Sequence, residues 1–448
     1  MRKTAPCEAV TVVGGGLAGS EAAWQIAQRG VRVRLFEMRP QVMTPAHVTD
    51  ALAELVCSNS LGADGGLSPA ALLKAELRLA GSLILRCAEA ARVEAGSALA
   101  VDREAFAQAV TRALTQHPRI EVVREVVTEI PEGPTVIATG PLTHETLSAN
   151  LAAFLGETNL AFFDAAAPIV LADSVDMNHA FWGSREGEDH QDYLNCPLSR
   201  EEYERFWEAL VTAEQHPRHD FEADAQFFEG CLPIEELARR GKRTPLFGPM
   251  RPVGLKNPHE GGRRPYAVVQ LRKDNAAGSL LNLVGFQTNL RWGEQKRVFG
   301  MIPALAHAEF VRYGVMHRNT YLKSPRILGS DLATLKRADL WLAGQMTGVE
   351  GYVESSAMGL LAGINAARRC LGQGPWTPPR ESMWGALVYY ITHADPEHFQ
   401  PMNANYGLLP WPAEWPAPKS KQERRELLYQ RAVAALSQAL QEEMAHVG

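Results

Sequence analysis

Val10-Thr11-Val12-Val13-Gly14-Gly15-Gly16-Leu17-Ala18-Gly19-Ser20-Glu21, followed by Val31-Arg32-Val33-Arg34-Leu35-Phe36-Glu37, decides how this chain is read. A short β-branched run enters a glycine turn, a helix-like segment follows, and a second strand closes on an acid. That order is a dinucleotide-binding βαβ unit. Gly14 permits the tight turn, Gly16 lets the backbone approach a pyrophosphate, and Gly19 lets the helix pack on the strand. The helix N-terminus offers unpaired N–H groups and a partial positive charge to the phosphates. Glu37 stands 18 residues after Gly19, where a carboxylate accepts hydrogen bonds from an adenosine ribose and disfavours a 2′-phosphate. The turn therefore suits FAD or NAD and not NADP, with Gly14, Gly15, Gly16, Leu17, Ala18, Gly19, Glu37 and the following Arg39 around the ligand.

Outward from that unit, the 448 residues suffice for two or three domains with their own cores. A charged share of 21% and a hydrophobic share of 46% are those of an ordinary globular chain, which excludes a disordered one. No apolar run precedes the first strand and no segment reaches the length of a membrane helix, so a cytoplasmic protein without membrane contact is expected. Cys7, Cys57, Cys87, Cys196, Cys231 and Cys370 form no CxxC or zinc-like cluster. No metal site is expected, and in a reducing compartment each cysteine is a thiol, either buried filler or nucleophile.

Leu55-Val56-Cys57-Ser58-Asn59-Ser60-Leu61-Gly62 has no helical or strand period and reads as a loop near the ligand. Residues 68–92 read as one long amphipathic helix opened by Ser68-Pro69, and Asp102 as the N-cap of another. Thr135-Val136-Ile137-Ala138-Thr139-Gly140 is an apolar strand that resembles the one which, in two-dinucleotide-fold flavoproteins, returns beside the first strand; the resemblance implies that Thr139-Gly140 lets the backbone pass the FAD. Leu340 to Tyr352 runs a strand into a second glycine turn containing Gly344, Gly348, Glu350, Gly351 and Tyr352. The small-residue helix after it presents a second N-terminus, suited to negative charge on a reduced flavin. An NAD dehydrogenase has no need of this second turn.

Between these halves the βαβ rhythm stops. The expected organisation is α/β: a Rossmann-like FAD-binding domain of the two-dinucleotide-binding flavoprotein type over 1–165 and 310–374, interrupted by an inserted, mostly antiparallel α+β domain over 166–309. Residues 375–418 hold nine of the 28 prolines and are expected to wrap the surface irregularly before a terminal helix. From Arg239 to Arg264 the insertion carries eight basic residues against the single acid Glu260, in a chain whose net charge is −6. This loop-like stretch, with Arg239, Arg240, Lys242 and Arg243 at its head, suits a phosphate backbone; the bland reading is a solvated loop.

Over nearly the whole chain the sequence resembles the folate- and FAD-dependent tRNA (uracil-5-)-methyltransferases. The likeness lies in Gly14 to Glu37 with Met38-Arg39-Pro40, Val56-Cys57-Ser58-Asn59-Ser60-Leu61, Asp192-Tyr193-Leu194-Asn195-Cys196-Pro197, Phe228-Glu229-Gly230-Cys231-Leu232-Pro233, Arg312 to Tyr321, and Gly348-Val349-Glu350-Gly351-Tyr352. The related GidA family, which modifies the tRNA wobble uridine, shares the flavin motifs but has a longer C-terminal region. The resemblance implies 5-methyluridine formation at uridine-54 of the tRNA T loop. The carbon comes from 5,10-methylenetetrahydrofolate, and the electrons from FAD reduced by the nicotinamide dinucleotide NADPH or NADH. It further implies Cys231 as the nucleophile that adds to uracil C6, Cys57 as a second active-site thiol, and His317 against the folate pterin. Competing readings are a GidA-like wobble-uridine modifier, a small-molecule FAD oxidoreductase, and a non-catalytic FAD-stabilised RNA-binding protein.

Overall fold

The structure is a computed structural model that describes residues 7–156, 160–165, 167–185, 191–216, 232–275, 277–314, 316–397 and 399–445; for 160–165, 316–320 and 444–445 it describes the backbone alone. Its first sheet has six strands in the order Ala333–Thr334, Arg337–Leu342, Thr135–Ile137, Val10–Val13, Val33–Glu37, Ile120–Arg124. All neighbours are parallel except the short edge strand at 333. Val10, Val12 and Val13 are buried at the centre, as a strand covered on both faces requires. The strand at 135–137 lies directly beside the first one, which brings Thr139 to the glycine turn.

The glycine-turn helix, Leu17–Gln28, packs against the helix Tyr352–Cys370, which is buried from Val353 to Arg368. Small residues make this contact possible. A β-carbon on Gly359 would stand 2.1 Å from the Ala18 carbonyl oxygen, and one on Gly363 2.6 Å from that of Ala22. Because 18 faces 359 and 22 faces 363, the helices run in the same direction. The later one projects six residues, about 9 Å, beyond the N-terminus of the earlier one.

A second core surrounds a wholly antiparallel sheet, ordered Phe181–Gly183, Tyr193–Leu198, Ala267–Lys273, Leu280–Leu283, Ile169–Leu171, Phe310–Arg312. The helix Arg200–Thr212, opened by a Ser199–Glu202 capping box, packs onto it. The chain leaves the first unit through Leu160–Ala165 and returns through Met316–Tyr321, paired antiparallel with each other. The architecture is thus a parallel dinucleotide-binding unit with an inserted α+β unit.

Four expectations need correction. The stretch 68–92 is two helices, Pro69–Leu79 and Leu83–Ala90, because Gly81 takes φ +73° and the Ser82 hydroxyl caps a new start through the Leu85 amide. The proline-rich stretch contains a buried helix, Met383–His393. The basic stretch contains the short helix Thr244–Phe247 and is tied to the sheet, with the Val268 amide donating to Met250 O at 3.2 Å. Finally, Cys7 and Cys370 are joined as a disulfide, their Cα atoms 5.0 Å apart and their positions 363 residues apart. The approach to the first strand meets the end of the helix Tyr352–Cys370, a juxtaposition invisible in cysteine spacing.

Buried carboxylates hold several helix starts. Glu21 accepts from the Leu83 and Ile84 amides and the Ser82 hydroxyl, and Glu76 accepts from the Met383 and Trp384 amides at 2.8 Å each. Burial pushes the Glu76 carboxyl from 4.5 up to about 8, against the lowering effect of those two amides. Being raised, it contributes stability that is complete below about 4.5 and is lost as the pH rises through about 8. Replacing Glu76 by Gln should lower the melting temperature at the acid end of that window and flatten its decline towards the alkaline end, as read by thermal denaturation across pH.

Candidate active site

A groove lined by Val13 to Gly16, Phe36 to Arg39, Thr44, His47, Thr139 and Leu142 to His144 follows the glycine turn. Each glycine there does a separate job. Gly14 takes φ +101°, and a β-carbon on it would stand 2.6 Å from Ala138 O. A β-carbon on Gly19 would lie 1.8 Å from Gly14 O, inside the atom. Gly16 faces open space, and as the helix N-cap it brings no capping side chain, so the first-turn amides remain available to an anion.

Glu37 closes the groove. Its Oε2 accepts from the Gly15 amide at 2.9 Å, and its Oε1 from the Arg39 amide at 3.0 Å and Arg39 Nε at 2.9 Å. Burial raises its carboxyl, but the hydrogen bonds and charge of Arg39, with the Gly15 amide, outweigh this and hold it below 4.5. It is anionic at neutral pH, and Oε2 keeps a lone pair for a ribose hydroxyl. Arg39 is 1% exposed and bridges Glu37 to Glu54 at 3.2 Å, so its place is behind the acid that faces the groove. These residues fit a dinucleotide.

The second glycine turn lies farther along the same line. Gly344, Gly348 and Gly351 all take positive φ, and the helix that begins at Tyr352 has no capping side chain. Glu350 is held by Gln345 Nε2 at 3.0 Å. The Tyr352 hydroxyl accepts from the amides of Cys57 at 2.8 Å and Ser58 at 3.1 Å, so the cysteine loop is clipped to the N-terminus of that helix. Burial drives the Tyr352 phenol far above its ordinary range, leaving it neutral.

Four more side chains, none singled out from sequence for this task, complete the holder. Arg103 donates to Leu55 O at 2.7 Å and Cys57 O at 3.3 Å and is paired with Asp274 at 3.0 Å. Arg312 donates to Val56 O at 2.7 Å. Arg272 donates to the Ser58 hydroxyl at 2.9 Å and to Asn59 Oδ1 at 2.9 Å. Burial depresses both Arg272 and Arg312, with the neighbouring Arg103 charge adding to it, yet a guanidinium this basic stays charged. Arg272 belongs to the inserted sheet and Asp274 follows its strand directly, so that sheet fixes the Cys57 loop against the first unit.

Of the other expected site residues, Cys231 lies outside the described residues, and of His317 only the backbone is described, in register with Asp164. In the basic group, Arg239 is paired with Glu236 at 2.6 Å, and Lys242 with Glu204 at 3.5 Å. Arg243 is exposed, its guanidinium 5.7 Å over the Phe247 ring.

Two glycine-turn helices side by side, with an inserted antiparallel unit reaching back to a cysteine loop between them, define a flavoprotein of the GidA type. The family model described as "GIDA: Glucose inhibited division protein A" matches residues 9–374. GidA of Aquifex aeolicus, in its form II crystal, superposes with a TM-score of 0.67 at 16% identity, covering 96% of this chain and 73% of that one, a likeness of fold. The methylenetetrahydrofolate–tRNA-(uracil-5-)-methyltransferase TrmFO of Symbiobacterium thermophilum is 60% identical over 432 residues, 96% of either chain. That of Thermus thermophilus is 56% identical over 430 residues, again 96% of either. The chain belongs to the TrmFO family.

Two substitutions test this geometry. Gly19→Ala forces the helix off the turn at a cost of roughly 3 kcal/mol or more, and should yield protein purified with little or no flavin absorbance. Tyr352→Phe leaves two part-buried amides without their acceptor, about 1 kcal/mol. It should retain flavin while Cys57 alkylates several-fold faster, as followed by site-resolved mass spectrometry; an unchanged rate would show that the hydroxyl does not hold the loop.

Proposed function

We propose that this protein forms 5-methyluridine in the T loop of tRNA, in the cytoplasm, with 5,10-methylenetetrahydrofolate as carbon donor. The observation that carries the reading is the Cys57 loop, clamped by Arg103, Arg272 and Arg312 at the N-terminus of the second glycine-turn helix. A thiol on a loop held at that helix N-terminus supports a flavin-side role for Cys57, as does the 60% identity of the chain to a protein named as this methyltransferase.

The chemistry that bound FAD brings is two-electron reduction of the donated methylene to methyl, with NADPH or NADH as the source of the electrons. The chain's own groups do the rest. Uracil C5 is a poor nucleophile; when the Cys231 thiolate bonds to C6, electron density moves to C5, which then attacks the one-carbon electrophile. The C5 proton leaves, with Cys57 assisting its removal; the tetrahydrofolate nitrogen departs from the transferred carbon as that carbon is reduced to methyl, and the C6–S bond breaks to restore the C5–C6 double bond and return the Cys231 thiolate. His317 supports the folate pterin. Gly14 to Gly19 hold the pyrophosphate, Glu37 the ribose, and the second turn, with Gly344, Gly348, Glu350 and Gly351, the flavin ring. The insertion, with Arg239, Arg240, Lys242 and Arg243, carries the tRNA. Among the described residues no helix is long and apolar enough to cross a membrane.

The test is transfer of label from 5,10-methylenetetrahydrofolate into unmodified tRNA in the presence of FAD and NADPH, followed by nucleoside analysis. Labelled 5-methyluridine is expected. Cys231→Ala should abolish it by a factor of 10³ or more while the protein stays yellow; full activity in that variant removes the nucleophile assignment. Label found instead in a wobble uridine would favour the GidA-like reading. Flavin-dependent NADPH oxidation with no label in tRNA would favour a small-molecule oxidoreductase.

A further inference from the structure

The basic stretch of the insertion folds into a groove of about 650 Å³, lined by Arg243, Leu246, Phe247, Arg251, Pro252, Val253, Arg264, Pro265 and Tyr266. It has three properties together. First, its lining contains no acid among the described residues: Arg243, Arg251 and Arg264 are exposed and make no ion pair with any described residue. Second, Phe247 is 75% exposed, an unusual place for a ring on a protein surface, and lies beneath the Arg243 guanidinium.

Third, the groove is built rigidly. Met250 beneath it is fully buried, its amide donating to Pro245 O at 2.9 Å and its carbonyl accepting from Val268. Arg185 Nη2 holds the Arg251 carbonyl at 2.7 Å, and the Tyr203 hydroxyl holds that of Lys242 at 2.7 Å. The exposed phenyl ring and the arginines therefore stand on an ordered support.

The groove is separate from the cysteine loop. Tyr266 precedes the strand Ala267–Lys273, and Arg272, which grips Ser58 and Asn59, lies near that strand's other end. Six residues of extended chain put about 20 Å between them.

We propose that this groove is a subsite for an unpaired RNA nucleotide other than the one methylated: its base stacks on Phe247, and the flanking phosphates pair with Arg251 and Arg264. The proposal rests on the reading of tRNA as substrate. Unpaired RNA is the occupant that the chemistry selects. A duplex presents sugar and phosphate to a protein surface and keeps its base faces stacked inside, so it would leave the ring unused. An unstacked base offers its π-face to an aromatic ring while its backbone meets the arginines.

The experiment uses the full-length, FAD-loaded protein and measures binding and methylation of unmodified tRNA across a salt series. Phe247→Ala should weaken tRNA affinity and raise KM for tRNA by about tenfold, the scale of one lost base stack. kcat, flavin content and the salt slope should stay unchanged, and Phe247→Trp should restore affinity. The double variant Arg251→Ala with Arg264→Ala should instead lower the slope of log affinity against log salt by about 0.7 for each lost phosphate. A single-stranded RNA oligonucleotide should compete with tRNA better in the wild type than in Phe247→Ala, and a duplex of equal length should compete equally in both. Wild-type KM in Phe247→Ala alongside active tRNA methylation would overturn the subsite alone. A salt slope unchanged in the arginine double variant would overturn its phosphate half. Wild-type protein that neither binds nor methylates tRNA would overturn the underlying reading, and the subsite with it.

Discussion

The Gly14 carbonyl oxygen occupies the space a β-carbon on Gly19 would need, and every later placement is referred to that contact. It seats the helix Leu17–Gln28 on the turn. That helix presents Ala18 and Ala22, against which Gly359 and Gly363 close with equal intimacy, and so the helix Tyr352–Cys370 is fixed in direction and in its forward offset. Its first residue, Tyr352, then holds the amides of Cys57 and Ser58, and Arg272 and Asp274 bring the inserted sheet onto the same loop. Steric exclusion between backbones thus sets the relative position of phosphate site, flavin end and thiol, while hydrogen bonds only secure the last step.

Electrostatics follows the same economy. Arg39, Arg103, Arg272 and Arg312 are enclosed, and each is occupied by carboxylates, carbonyls or amide oxygens of the protein. They position, and they leave ligand charge to the helix N-termini. Arg243, Arg251 and Arg264 of the basic groove are turned outward to solvent. Two populations of arginine therefore coexist, one wholly or partly buried and engaged by the protein's own oxygens, the other exposed.

What could be read from the sequence was what is local in it. The glycine spacing, the acid at Glu37, the cap at Asp102 and the strand Thr135–Ile137 that leads to Thr139 lie within single βα or αβ steps, whose physics is short-ranged. The setting of Cys57 was not legible, because its holders come from 103, 272, 312 and 352, brought together only by the insertion's return to the first unit. The Cys7–Cys370 pairing escaped for the same reason. The break at Gly81 and the helix at 383–393 were missed differently: amphipathic period runs across the first, and prolines on both sides conceal the second. Eight basic residues were visible as charge, but composition could not say that Arg239 pairs with Glu236 and Lys242 with Glu204.

The adjacency of the exit and return strands, Leu160–Ala165 beside Met316–Tyr321, has a consequence for how the chain is made. During synthesis the inserted sheet has all six of its strands in hand before residue 337 leaves the ribosome, whereas the parallel sheet must wait for Arg337–Leu342 to dock on Thr135–Ile137. The strand Thr135–Ile137 therefore lacks one of its two neighbours until the insertion has been synthesised. The helix Tyr352–Cys370, which packs on those strands and on the helix Leu17–Gln28, comes later still, so the two glycine turns face one another only after the insertion has been synthesised.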